Sequence, residues 1–255
     1  MKHPLYAMDN YRKQKLICFF LCLIGMIAIM FEVIGCFTEA WLRYDMDIHI
    51  KRVFSFDIRK KDSVSIGLWT VTACETDESN SFYVVNPVTV CKTATIEQLN
   101  KAIAMSNSTS KEEGKEFLKS FLPQKILTVA GGLLGICSLA LTYAFARTKP
   151  NETTGSYTVS AVSCIVCWVI SGALLFAAVD IQNHNNANFE KETQMAADKP
   201  EIRDVLTFSF GSSASIILLG IGGSFGVLLA LIIPIMIVCR IRSGNDAEAY
   251  TNQAI

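Results

Sequence analysis

Four apolar windows, Leu16 to Phe37, Ile126 to Phe145, Val159 to Val179 and Ser215 to Cys239, constrain this chain more than any other feature. Crossing a bilayer takes about 20 helical residues at a rise of about 1.5 Å each, and every window is long enough. Inside them the one formally charged residue is Glu32. Backbone groups in hydrocarbon must be satisfied within their own segment, and these windows lack the two-residue alternation of barrel strands, so helices are expected. Charged residues make up 18% of the chain, against about 25% in an ordinary soluble domain. The 23 basic and 23 acidic residues cancel, which leaves no overall basic field to attract nucleic acid. The expected fold is that of a mainly α membrane protein, a left-handed four-transmembrane-helix bundle carrying a small extracellular antiparallel β-sheet.

The first window is longer than the apolar core of a signal peptide, about 7–15 residues, and no convincing small-residue cleavage site follows it, so it is expected to remain as a span. Lys and Arg in short flanks set orientation. Lys2, Arg12, Lys13 and Lys15 precede the first window, Arg147 and Lys149 lie between the second and third, and Arg240 and Arg242 follow the fourth. Both termini and the middle loop are therefore expected in the cytoplasm of a plasma-membrane protein. The layout is a tail over 1–15, spans over 16–37, 126–145, 159–179 and 215–239, external segments over 38–125 and 180–214, a cytoplasmic loop over 146–158 and a tail over 240–255. Two sequons test it, because Asn107-Ser-Thr is external in this layout and Asn151-Glu-Thr is not.

The first external segment is too long for a mere connector. Ile48 to Phe56, Val64 to Ala73 and Phe82 to Cys91 are rich in strand-forming residues, the acidic run from Glu75 to Asn80 reads as a turn, and Pro87 places the last strand at an edge. Ile96, Leu99 and Ile103 then recur at helical spacing, which predicts a short helix. Seven of the nine cysteines lie in or at the ends of the apolar windows, where they act as small apolar residues. Cys74 and Cys91 alone lie well inside the external segment. In an oxidising compartment, flanking a predicted hairpin, they are expected to form a disulfide worth roughly 3 kcal/mol by loop entropy.

Trp41 just past the first span, then Gly67-Leu68-Trp69, Cys74 and Cys91, all before the second of four spans, resemble the W-GLW-C-C signature of the claudin superfamily. That superfamily includes peripheral myelin protein, epithelial membrane proteins and the γ subunits of calcium channels and AMPA receptors. Length and layout are most similar to the nematode Clc-like, that is claudin-like, branch. The resemblance covers the whole chain in topology and residues 41 to 91 in motif. It departs from claudins in having four residues rather than two between Trp69 and Cys74, and in a C-terminus with Gln253 where a common PDZ ligand has Ser or Thr. The resemblance implies recognition through an external sheet, with Trp41 and Trp69 packed where the sheet meets the membrane.

Other motifs carry structure rather than chemistry. Gly222-Gly223-Ser224-Phe225-Gly226 matches a nucleophile elbow in letters, but it lies in an apolar helix without a base, so Gly222 and Gly226 read as a GxxxG packing surface, as do Gly131 and Gly135. Cys164 and Cys167 form a Cys-x-x-Cys in mid-membrane without His or acidic neighbours, and His3, His49 and His184 are scattered. No catalytic or metal constellation emerges, and neither enzyme activity nor a cofactor is expected. Glu32, an intramembrane acid, is a functional candidate by default, although near the end of its span it can be expected to reach the outer interface or a loop partner.

Two function classes follow. In one, the protein serves cell-cell junctions, adhesion or a paracellular barrier, and Glu75, Asp77, Glu78 and Lys92 are the candidate charges for ion selection or partner binding. Eleven Lys or Arg and twelve Asp or Glu between residues 38 and 122 fix no selectivity sign. In the other, it is an auxiliary subunit that biases the gating of an ion channel or receptor. Its expected partners are membrane lipid and either a second copy or a neighbouring channel or junction protein.

Overall fold

The computed structural model describes residues 3–51, 57–77, 88–105, 119, 121–147, 154–200, 203 and 205–252. Among the described residues five helices are seen: α1 (His3–Phe37), α2 (Ile96–Met105), α3 (Leu122–Arg147), α4 (Thr154–Ala197) and α5 (Ala214–Asn252). Of these, α1, α3, α4 and α5 are long and apolar enough to cross a membrane, over Leu16–Phe37, Leu122–Phe145, Thr158–Ala197 and Ala214–Val238. The protein is a four-span membrane protein with a five-stranded sheet. By internal contacts it divides into two compact units. One comprises Met1–Val33, Leu127–Phe176 and Leu219–Ile255; the other comprises Ile34–Ile126 and Ala177–Leu218.

In the first unit, packing follows a seven-residue period. Leu21, Gly25, Ala28 and Glu32 are buried on α1; Thr128, Gly131, Gly135, Ser138, Thr142 and Phe145 on α3; Ala161, Cys164, Trp168, Ser171 and Leu175 on α4. Alternating steps of three and four place each row on one face, and a sustained seven-residue repeat goes with left-handed supercoiling. Without a hydrophobic driving force between helices in lipid, close approach at small residues has to supply the attraction. A Cβ on Gly131 would lie 2.9 Å from Leu175, one on Gly226 would lie 3.2 Å from the Trp168 ring, and one on Gly172 would lie 3.0 Å from Val227. Trp168 donates its indole N–H to Thr142 Oγ1 at 3.1 Å, and Thr142 donates in turn to the Ser138 carbonyl at 2.7 Å. Away from these rows Phe19, Met30, Leu133, Val159 and Leu231 are exposed, as lipid-facing side chains should be.

In the second unit, β1 (Leu42–Lys51), β2 (Asp57–Ile66), β3 (Thr70–Asp77), β4 (Val88–Thr95) and β5 (Leu206–Gly211) form one antiparallel sheet in the order β4-β3-β2-β1-β5. Several boundaries differ from the sequence reading. The run from Val64 to Ala73 is two strands, because the chain reverses at Gly67-Leu68-Trp69 and pairs Ile66 with Val71. Glu75 to Asp77 belong to β3 rather than to a turn. Of the run from Ile48 to Phe56, residues 48–51 are in β1 and 52–56 lie outside the described residues; of Phe82 to Cys91, only 88–91 are described, in β4. β4 is an edge strand.

The fifth strand was not foreseen. Leu206, Phe208 and Phe210 alternate with polar residues beside β1, so the segment before α5 completes the sheet begun after α1. Nor does α4 stop at Val179: it runs on through polar residues to Ala197, 44 residues in all, or about 66 Å at helical rise. The short helix α2 starts with a reciprocal cap, Gln98 N–H donating to Thr95 Oγ1 at 3.1 Å and Thr95 N–H to Gln98 Oε1 at 2.9 Å.

Candidate recognition sheet and its tryptophan anchors

Register and pleat give the sheet two unlike faces, since successive side chains point to opposite sides. Leu42, Tyr44, Met46 and Ile48 of β1 share a face with Val64 and Ile66 of β2, Val71 of β3 and Leu206, Phe208 and Phe210 of β5. Over this face lies a core of Leu42, Ile66 and Phe121, with Tyr44, Val64, Val71 and Phe189 packed against it. Tyr44, Phe189 and Phe210 form a ring triangle with centroids 5.5 to 6.4 Å apart. Burial and the nearby Asp62 charge push the Tyr44 phenol up from its ordinary pKa.

The opposite face is polar. Arg43, Asp45, Asp47 and His49 alternate along β1, Lys61, Ser63 and Ser65 along β2, and Thr207 and Ser209 along β5. On β3 and β4 this face is a ladder: Thr70 opposite Thr95, Thr72 opposite Thr93, Cys74 opposite Cys91, and Thr76 opposite Thr89. Cys74 and Cys91 are joined by the disulfide, their Cα atoms 4.0 Å apart. The hydroxyls of Thr72 and Thr93 meet at 2.9 Å on one side of it and those of Thr76 and Thr89 at 2.9 Å on the other. The disulfide therefore ties the edge strand β4 to β3 within a row of hydrogen-bonded threonines.

The signature residues act at the end of the first span. A helix leaves its last carbonyls without partners, and here indoles supply donors. Trp41, fully buried, donates Nε1–H to the Gly35 carbonyl at 3.0 Å. Trp69, part exposed, donates to the Cys36 carbonyl at 3.1 Å; its ring stacks on Phe37 at 6.3 Å and carries the Lys125 ammonium 5.1 Å from its centroid. Gly67 is needed because a Cβ there would stand 3.0 Å from the Glu39 Cα and 3.2 Å from the Thr38 carbonyl. Leu68, in the same turn, is fully buried.

Residues that the sequence reading did not single out lock this junction. Glu39 accepts hydrogen bonds from Thr70 Oγ1 at 2.8 Å and Thr72 Oγ1 at 2.6 Å, so Thr93 must be the donor to Thr72. The Trp41 carbonyl accepts from Asn186 Nδ2 at 3.0 Å and Ser213 Oγ at 2.8 Å, and Gln182 holds the Asn186 amide at 2.7 Å. Ser215 bonds the Thr38 hydroxyl at 2.6 Å. A signal for the ladder was present as the alternating threonines of β3 and β4; nothing local marks Asn186 or Ser213.

No known protein-family model matches the chain, and no curated protein matches it in sequence.

Among the charges proposed for ion selection or partner binding, Glu75 pairs with Lys60 at 2.6 Å, which holds its carboxyl below the usual range. Lys92 lies across from Ala73 on the exposed edge strand, on the same face as Glu75 and Val90. Asp77 closes β3 opposite Val88. Glu78 and the sequon at Asn107 lie outside the described residues. Among the described residues no group of three or more His, Cys, Asp or Glu is placed to hold a metal ion. The arrangement is a disulfide-tied, two-faced antiparallel sheet with β4 and β5 at its edges, hydrogen-bonded to the last turn of a membrane helix.

Proposed function

We propose that this protein is a non-enzymatic, claudin-like tetraspan of the plasma membrane that acts in cell-cell contact, adhesion or a paracellular barrier through an extracellular sheet. The observation that carries this reading is the pair of indole caps, Trp41 on Gly35 and Trp69 on Cys36, which turns the W-GLW signature into a device for mounting a sheet on the first span. Indoles favour the membrane interface, where one edge is apolar and the other wet. On this reading both termini are cytoplasmic, and the exposed β4 edge with Glu75, Val90 and Lys92 is the surface offered to a partner. The test is location and orientation together. A tagged full-length chain should concentrate at lateral cell contacts, with sugar on Asn107 and none on Asn151. Even distribution over the surface or a glycosylated Asn151 contradicts it.

The second reading, an auxiliary subunit beside a channel or receptor, is favoured by the continuation of α4 to Ala197, which gives the second external segment a long helical stem. Co-purification with a channel from membranes that touch no other cell supports this reading against the first.

A further inference from the structure

Glu32 has no use in the recognition sheet, and its surroundings are unusual for a carboxyl group. It is 3% exposed, and neither carboxyl oxygen has a hydrogen-bond partner among the described residues. Instead of reaching a loop or the interface, it turns inward between glycines of two other helices. A Cβ on Gly135 of α3 would fall 2.8 Å from Glu32 Oε2, and one on Gly222 of α5 would fall 2.8 Å from Glu32 Cγ. Both GxxxG pairs thus contribute one glycine to a cradle that any larger residue would fill. The hydroxyl nearest that cradle, Ser171 of α4, lies 3.4 Å from the same Gly135 position, but it donates to the Gly131 carbonyl at 2.8 Å. Residues 127–146, 158–176 and 219–239, the spanning parts of α3, α4 and α5 in this unit, contain no Asp, Glu, Lys, Arg or His.

An ionised carboxylate cut off from water, countercharge and donors is far too costly to bury, whereas the neutral acid is not. We propose that Glu32 is a proton-binding site built into the transmembrane bundle, with Gly135 and Gly222 as the walls that admit its neutral carboxyl. Losing the proton puts a charge between α1, α3 and α5 that the cradle cannot meet, so proton release must loosen the contact of α1 with those helices. Thr128, two turns before Gly135 on the same buried row of α3, also keeps a hydroxyl without a partner. The site stands on its own geometry and does not depend on the role of the sheet.

A lipophilic carbodiimide tests this on the full-length protein in membranes. A protonated carboxyl adds its O–H across one N=C bond to give an O-acylisourea, which rearranges to a stable N-acylurea that peptide mapping by mass spectrometry locates. The expected adduct is on Glu32, absent in Glu32→Gln, unaffected by replacing choline with sodium, and several-fold weaker at about pH 9 than at about pH 6. Labelling that sodium suppresses overturns the proposal in favour of a metal-cation site. A second readout covers a carboxyl that the reagent cannot reach. Thermal midpoints of the wild type and of the neutral isostere Glu32→Gln should lie closest below about pH 4, where the carboxyl is neutral in the folded and the unfolded chain alike, and diverge as pH rises above it, the wild type falling. Parallel profiles, or a Glu32→Gln protein less stable by the same margin at every pH, overturn it.

Discussion

The indole nitrogen of Trp69 donates to the backbone carbonyl of Cys36 at 3.1 Å, across 33 residues of sequence. That bond joins the tip of the β2–β3 hairpin to the last turn of α1, as the Trp41–Gly35 bond joins the start of β1 to it. Replacing Trp69 by Phe keeps the stacking on Phe37 and removes the donor, and should cost about 1 kcal/mol. Trp41→Phe should cost more, about 1–3 kcal/mol, because the indole is fully buried and its removal leaves the Gly35 carbonyl only the longer bond from the Thr38 hydroxyl, at 3.3 Å. Denaturation in detergent micelles orders the two variants.

Gly67→Ala should destabilise by about 1–3 kcal/mol, because the new methyl meets main chain at Glu39 and Thr38 rather than a side chain that can swing away. Gly132→Ala and Gly220→Ala are the controls, since nothing lies within 4 Å of a Cβ at either position. They should leave the thermal midpoint unchanged or raise it slightly.

Removing the disulfide as Cys74→Ser with Cys91→Ser should cost roughly 3 kcal/mol and match the reduced wild type. The single variants should behave no better than the double one, since either loss opens the same loop. Thermal melts of the four forms, with and without reductant, show whether the bond or the side chains matter.

Lys60 holds the Glu75 carboxyl below its ordinary range, so the folded state favours the ionised form more than the unfolded chain does. Any stabilisation is present at neutral pH and lost as pH falls through the acid range, below about pH 4. The pair is on the surface, so the effect should be small. The midpoint difference between wild type and Lys60→Met should vanish on acidification; a difference that grows there contradicts the pairing.

The four spans were legible because a 20-residue apolar window sums many like contributions and tolerates local exceptions. The disulfide was legible because Cys74 and Cys91 stood apart from seven membrane cysteines. Strand ends were not, since the β-rich run from Val64 to Ala73 carries its turn in Gly67, whose need for space is set by Glu39 and Thr38 rather than by its neighbours in sequence. β5 was missed although Leu206, Phe208 and Phe210 alternate, because six residues are a weak signal until β1 is there to pair with them. Glu32 was legible as an oddity, but its inward turn depends on glycines 103 and 190 residues away, at 135 and 222.

The central claim, that this sheet recognises a partner at cell contacts, is tested most directly by mixing cells that express the tagged full-length chain with cells that do not. Enrichment at borders, reduced when the β4 edge is altered by Val90→Lys while surface amount is unchanged, is the predicted result. Uniform labelling of the whole surface, indifferent to contact and to Val90→Lys, would contradict it.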